Sequence, residues 1–196
     1  DELRMRQPNF HVRIHENTPK AFYDEVIRIN FGAGSAPAMY NDETIIESMM
    51  NVGYSLEDAR NYVAIGCVEP TAPGKSLAST DAGMYNMPLA VEMALNEGKQ
   101  FHSSKQIGAK TPPVSEMRSM DDFVAAYDTQ VKHQLGKLRR DLEAIERFHA
   151  EHHPTPLTSS MVEGCVEQGV CSTSGGAIYN FSGIQGCGMA TVADSL

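Results

Sequence analysis

Residues 61–75 read NYVAIGCVEPTAPGK, and the reading of this stretch decides the rest. The apolar run NYVAIGC (61–67) describes a buried strand. It delivers Cys67, then Glu69 two positions on, then a loop punctuated by Pro70, Pro73 and Gly74. Residues two apart on an extended segment project to the same side. The spacing therefore predicts a thiol and a carboxylate facing one cavity. The plain structural alternative is a buried cysteine beside a loop glutamate.

Two chemistries compete for such a pair. A thiolate nucleophile needs a nearby cation or histidine. Here the neighbour is an anion, which favours the neutral thiol, so hydrolase chemistry of the papain kind fits poorly. A thiol that works as a neutral hydrogen-atom carrier has no such difficulty. S–H and activated C–H bonds are of similar strength, so a thiyl radical can take a hydrogen atom from a substrate carbon and later return it. A carbon radical makes its own hydroxyl far more acidic, and the adjacent glutamate can accept that proton. The ketyl-like radical then expels a substituent from the next carbon. Such chemistry calls for a dry cavity.

The whole chain sets the bounds. Its 196 residues, 41% hydrophobic and 21% charged, suffice for one sizeable core. A formal charge of −9 excludes an extended basic face for nucleic acid or anionic membrane. The densest basic spot, KLRR at 137–140, is followed by Asp141, Glu143 and Glu146 and reads as a solvated helix face. No apolar run reaches the roughly 18–20 residues of a membrane span, and DELRMRQPNF lacks the apolar core of a signal peptide. Cys67, Cys165, Cys171 and Cys187 form no C-x₂-C pair, so neither a disulfide framework nor a zinc ribbon is expected. A reduced, cytoplasmic setting follows. Eleven Met and four free Cys suit a protein that rarely meets oxygen. Both ends read as cut: no Met precedes Asp1, and ATVADSL stops where a helix begins.

Along the chain, PNFHVRI (8–14) predicts a short strand. TPKAFYDEVIRIN predicts a helix with Thr18 as N-cap and Pro19 in its first turn. FGAGSAPAMYN (31–41) reads as a loop, and Asn41 or Asp42 caps a helix through Met50 that Gly53 closes. Ser55 and Asp58 make an acidic capping box for SLEDAR. Residues 81–98 read as a helix kinked at Pro88, and 99–119 as a polar connection. A long helix follows from about Met120 to His153. In it Val124, Val131, Leu138 and Ile145 recur every seven residues, a packing face rather than a cofactor site. A further short helix and a glycine-rich tail of strands and loops complete an α/β order of elements.

Other candidate sites are weaker. His149 and His152 lie three apart and could share a metal, but an exposed helix end before Pro154 accounts for them. SGGAIYNFSGIQGCG holds neither G-x-G-x-x-G after a strand nor G-K-[ST], so no nucleotide cradle is expected. Cys165 and Cys171 read as small buried apolar residues.

GCVEP (66–70) after an apolar strand resembles the cysteine loop of glycyl radical enzymes. The branch in question contains glycerol and propanediol dehydratases, choline trimethylamine-lyase and isethionate sulfite-lyase. NDETI (41–45), GYSLEDARNYVAIGCVEP (53–70) and GGAIYNFSGIQGCGMATVADSL (175–196) are similar to segments of that family. The resemblance thus spans most of the chain.

The resemblance implies an α/β fold, part of a ten-stranded α/β barrel in which a cysteine loop meets a glycine loop. Residues 1–196 would be a single fragment of that catalytic barrel, its cysteine-loop half, with the C-terminal glycine-radical domain absent. Cys67 would carry the thiyl radical and Glu69 would be the base, with Thr80 and Asp81 contacting a small-molecule substrate. An aspartate at the place of Asp81 resembles the diol dehydratases, whereas the choline lyases carry their contact at the threonine. No RVxGY-like motif occurs in the chain. The glycyl radical is therefore expected on a glycine outside it, installed by a radical S-adenosylmethionine activating enzyme with an iron–sulfur cluster. A homodimer is implied, in the cytoplasm or inside a bacterial microcompartment, with no metal in this chain and no activity from the fragment alone. The expected reaction eliminates water, or another group, next to a hydroxyl-bearing carbon. The alternatives are C–N or C–S cleavage by the same machinery, or a catalytically silent α/β fragment that binds a partner through the 120–153 stripe.

Overall fold

The computed structural model describes residues 9–33, 36–77 and 79–196. The chain forms two compact units, Asp1–Thr80 with Thr155–Phe181, and Asp81–Pro154 with Ser182–Leu196. Pro8 and the Gly34–Ser35 part of the expected 31–41 loop lie outside the described residues.

The first unit opens with β1 (His11–Ile14), α1 (Lys20–Ala33) and β2 (Ala38–Asn41). The two strands pair in parallel, His11 opposite Ala38 and Ile14 opposite Asn41. A parallel pair needs a long crossover, which α1 provides. The 31–41 loop expected from Gly and Pro content is therefore shorter. Helix runs through Ala33, and Ala38–Asn41 is recruited into a sheet by a partner 27 positions earlier. Asn41 caps α2 (Asp42–Asn51), its side chain accepting from Glu43 N and Thr44 N.

Next come α3 (Leu56–Arg60), β3 (Val63–Ile65) and the antiparallel β4 (Glu69–Thr71). The acidic capping box is only half made. Ser55 Oγ accepts from Asp58 N at 3.1 Å, but Ser55 N donates instead to Tyr179 Oη. The core gathers Tyr40, Met49, Tyr54, Ala59, Tyr62 and Ala72, with Ile45, Ile46, Ala64 and Tyr179 against it. Tyr62, 2% exposed, donates its hydroxyl to Asp42. Arg13 grips the same carboxylate with Nε and Nη2, both at 2.8 Å, and lies 4.0 Å over the Tyr62 ring. The segment read as one short helix after Pro154 is two single turns, Pro156–Ser159 and Cys165–Gln168.

The second unit corrects the helix expected over 81–98. Residues Ser79–Asn86 form β5, paired with β6 (Ser182–Cys187), and only Met87–Leu95 is helical, as α4. Asn86 caps α4 by accepting from Leu89 N. Pro88 consequently sits in the first turn, where its missing N–H costs nothing, and makes no kink. The long helix is α5 (Met120–His152), started by a full capping box between Ser119 and Asp122.

The buried row of α5 advances in fours, through Ala126, Gln130 and Leu142, and α4 packs against this helix. Of the expected seven-residue stripe, Leu138 faces Gly83, whereas Val124 and Ile145 are 45% and 49% exposed. Gln130 is fully buried and clasps the 99–119 connection. Its Oε1 accepts from Ala109 N, and its Nε2 donates to Ala109 O and Thr111 Oγ1. Among the described residues no helix is long and apolar enough to cross a membrane.

Candidate active site

The site is a hairpin. Ile65 at the end of β3 pairs with Glu69 at the start of β4, leaving Gly66, Cys67 and Val68 as the turn. Gly66 takes φ +58°, a left-handed conformation that a residue without Cβ adopts freely. This bend sends the Cys67 and Val68 amides inward. The Glu69 carboxylate curls back beneath them, and its Oε2 accepts from both N–H groups at 2.8 Å. A Cβ on Gly66 would stand 2.8 Å from the same oxygen.

The two outward carbonyls of the turn are held from β1 and the residues before it. Asn9 Nδ2 donates to Gly66 O at 3.0 Å, and His11 Nε2 donates to Cys67 O at 2.6 Å. The His11 ring in turn sits edge-on to Tyr40, 5.6 Å between centroids. Glu69 is buried at 8% exposure, whereas Cys67 is a free, exposed thiol.

The Glu69 carboxylate therefore lies against the backbone of Cys67, around a glycine turn rather than along one face of an extended strand. An open cleft of about 340 Å³ beside the turn takes Val68, Tyr40 and Ile45 into its lining, but neither Cys67 nor Glu69. Thr80 and Asp81 are consecutive on β5, half-buried and exposed respectively. They fall on either side of the boundary between the two units.

Two polar centres escaped the sequence reading. The first is Asp58, whose carboxylate receives Lys75 Nζ at 2.7 Å, Tyr179 Oη at 2.7 Å and Ser55 Oγ at 2.9 Å. The Lys75 ammonium, then the Tyr179 hydroxyl, hold its carboxyl down at about 2. The second is Cys171, which is not an inert apolar residue. The Ser159 and Thr173 hydroxyls lie 3.2 and 3.3 Å from its sulfur, and Thr155 N donates to it at 3.1 Å. These donors bring its thiol down to about 5, the Ser159 hydroxyl contributing most. Cys165 behaves as expected: at 3% exposure, burial pushes its thiol up.

The helix-end histidines pack with Phe148, whose ring centroid is 4.6 Å from that of His152. Among the described residues no group of three or more His, Cys, Asp or Glu side chains converges to hold a metal.

Solved structures of glycyl radical enzymes share this order of strands and helices. The model of the pyruvate formate lyase-like family matches residues 1–196, and the chain belongs to that family. It is 38% identical to (2S)-3-sulfopropanediol dehydratase of Klebsiella oxytoca, over 98% of this chain and 23% of the relative. With trans-4-hydroxy-L-proline dehydratase of Clostridioides difficile it shares 36%, over 100% and 25%. Its fold superposes with TM-score 0.83 on the B12-independent glycerol dehydratase of Clostridium butyricum, at 39% identity, covering 98% of this chain and 24% of that one. A glycyl radical enzyme from Archaeoglobus fulgidus gives 0.84 at 37%, over 99% and 25%. The chain thus spans about a quarter of the length of the relatives it matches.

Proposed function

We propose that this chain supplies the thiol-and-carboxylate half of an anaerobic radical dehydratase, which removes water next to a hydroxyl-bearing carbon of a small substrate. The observation that carries the reading is the Glu69 carboxylate, buried and bonded to the amide of Cys67 itself.

Cys67 is free and exposed, which suits a residue that must be reached by a radical from elsewhere. A glycyl radical on a glycine outside these residues, installed by a radical S-adenosylmethionine activating enzyme, supplies the unpaired electron by taking the thiol hydrogen. Cys67, as thiyl, then removes the hydrogen atom from the hydroxyl-bearing carbon of the substrate and is restored to S–H. Glu69 takes the proton of that hydroxyl. The ketyl-like radical expels hydroxide from the neighbouring carbon with the bonding electron pair, and the Glu69 proton converts it to water. Cys67 finally returns its hydrogen atom to the product radical and is again thiyl. Atoms and electrons balance without an external oxidant.

Thr80 and Asp81 hold the substrate hydroxyls. Exclusion of water from Cys67 comes from polypeptide beyond this span. The protein works in a reduced cytoplasm, as a homodimer.

Relatives favour loss of water over loss of sulfite. Those named dehydratases are 38%, 36% and 31% identical, against 26–28% for isethionate sulfite-lyases. The test uses the full-length protein, activated without oxygen and offered glycerol, propanediol, 3-sulfopropanediol, hydroxyproline and isethionate. The expected result is dehydration of one of the hydroxylated substrates, abolished by Cys67→Ser and by Glu69→Gln. Turnover that survives both substitutions would overturn the assignment, and sulfite release alone would move it to the C–S lyases.

A further inference from the structure

The hairpin explains how Glu69 is placed. Its bonds to the Cys67 and Val68 amides hold the N–H side of the turn. A turn anchored on one side can still rock about the line of its anchors, and the Cys67 side chain, which is exposed, would move with it. The opposite side is held by two side chains that lie 57 and 56 residues earlier in the chain. Asn9 Nδ2 takes the Gly66 carbonyl and His11 Nε2 takes the Cys67 carbonyl, at 3.0 and 2.6 Å.

His11 is itself fixed. It opens β1, whose register against β2 begins at the His11–Ala38 pair, and its ring is braced edge-on by the buried Tyr40. Because a carbonyl can only accept, His11 Nε2 must carry a proton, which assigns the ring's donor to the turn. Four side-chain bonds, two to amides and two to carbonyls, thus clamp three consecutive residues.

We propose that His11 and Asn9 are positioning residues for the Cys67 sulfur, a role that rests on the radical function proposed above. They touch neither substrate nor reacting atoms. They hold the peptide groups on either side of the Cys67 Cα, and so set the direction in which Sγ points. Hydrogen-atom transfer is steep in distance, and a displacement near 1 Å can cost about 100-fold in rate.

The experiment uses the full-length enzyme, activated without oxygen, with wild type, His11→Ala, His11→Gln, Asn9→Ala and Cys67→Ser assayed together on protonated and deuterated substrate. For His11→Ala the expectation is a kcat lower by about 10- to 100-fold, with KM within about two-fold of wild type. The primary deuterium isotope effect on kcat should rise, because hydrogen transfer becomes more fully rate-limiting. His11→Gln keeps an N–H donor at the reach of Nε2 and should recover most of the rate. Asn9 is exposed, so Asn9→Ala folds, and it should show the same pattern at smaller amplitude.

A wild-type kcat and isotope effect in His11→Ala and Asn9→Ala, with Cys67→Ser inactive, would overturn the positioning role and leave the radical function standing. So would a rate loss in which KM rises, the isotope effect stays put and Gln gives no rescue. Turnover in Cys67→Ser would instead remove the underlying function.

Discussion

Cys67 and Cys171 both sit in tight turns of the first unit, each ringed by hydrogen-bond donors, yet the donors serve opposite atoms. Around Cys67 the nearby amides turn to Glu69, and the carbonyls receive Asn9 and His11. Around Cys171 an amide and two hydroxyls converge on the sulfur itself, and the thiol falls to about 5. Donors aimed at sulfur favour the thiolate, the species of nucleophiles and metal ligands. Around Cys67 the donors go to the neighbouring carboxylate and carbonyls, and the sulfur stays exposed. The same contrast divides two buried carboxylates. Asp58 is saturated by a lysine, a tyrosine and a serine, whereas Glu69 is bound to the backbone beside the thiol.

The strongest way to break this comparison is to remove each sulfur in turn. Cys67→Ser should lower turnover of the full-length activated enzyme by more than about 1,000-fold, whereas Cys171→Ser should stay within about three-fold, as for a residue outside the chemistry. Equal losses would show that the donor geometry does not sort the two roles.

Gly66→Ala is the next largest. Its methyl would press on Glu69 Oε2 and occupy a left-handed conformation. Turnover should fall by about 10- to 100-fold, with the fold retained by circular dichroism.

Asp58→Asn should cost about 2 kcal/mol, because Lys75, Tyr179 and Ser55 lose the charged acceptor they share and Lys75 keeps only Glu163, 4.0 Å away. Local hydrogen exchange around 55–60 and 73–77 would read this loss. The sign with pH is fixed: a carboxyl lowered from 3.8 to about 2 stabilises fully above pH about 4. That contribution disappears as pH falls through about 2.

The smallest effect sharpens the comparison. The thiolate absorbance lost in Cys171→Ser should titrate with a midpoint about 5, and Ser159→Ala should move that midpoint upward by about one unit. Since this thiol is lowered on folding, its contribution grows as pH rises from about 5 toward the ordinary thiol range and is lost below 5.

What the sequence disclosed follows from how local each cause is. The long helix was legible because its apolar periodicity lies within it, and the Cys67–Glu69 pairing because they stand two positions apart. The hairpin itself was missed. An apolar run into Cys67 reads as continued strand unless Gly66 is recognised as the bend. β5 was mistaken for helix since DAGMYN carries no period of its own, and its state is set by pairing with β6, about 100 residues later. Cys171 passed as apolar filling because its donors Thr155 and Ser159 arrive from 16 and 12 residues away. Asn9 and His11 carry no local signal at all, for their targets lie beyond α1, α2 and α3.

That last separation has a kinetic consequence. The bonds from Glu69 to Cys67 and Val68 span one or two residues, so they can close on the microsecond scale of a hairpin. The bonds from Asn9 and His11 must wait for β1 to dock, after a loop of some 56 residues has closed. During synthesis the carboxylate is therefore seated early and the sulfur is oriented late.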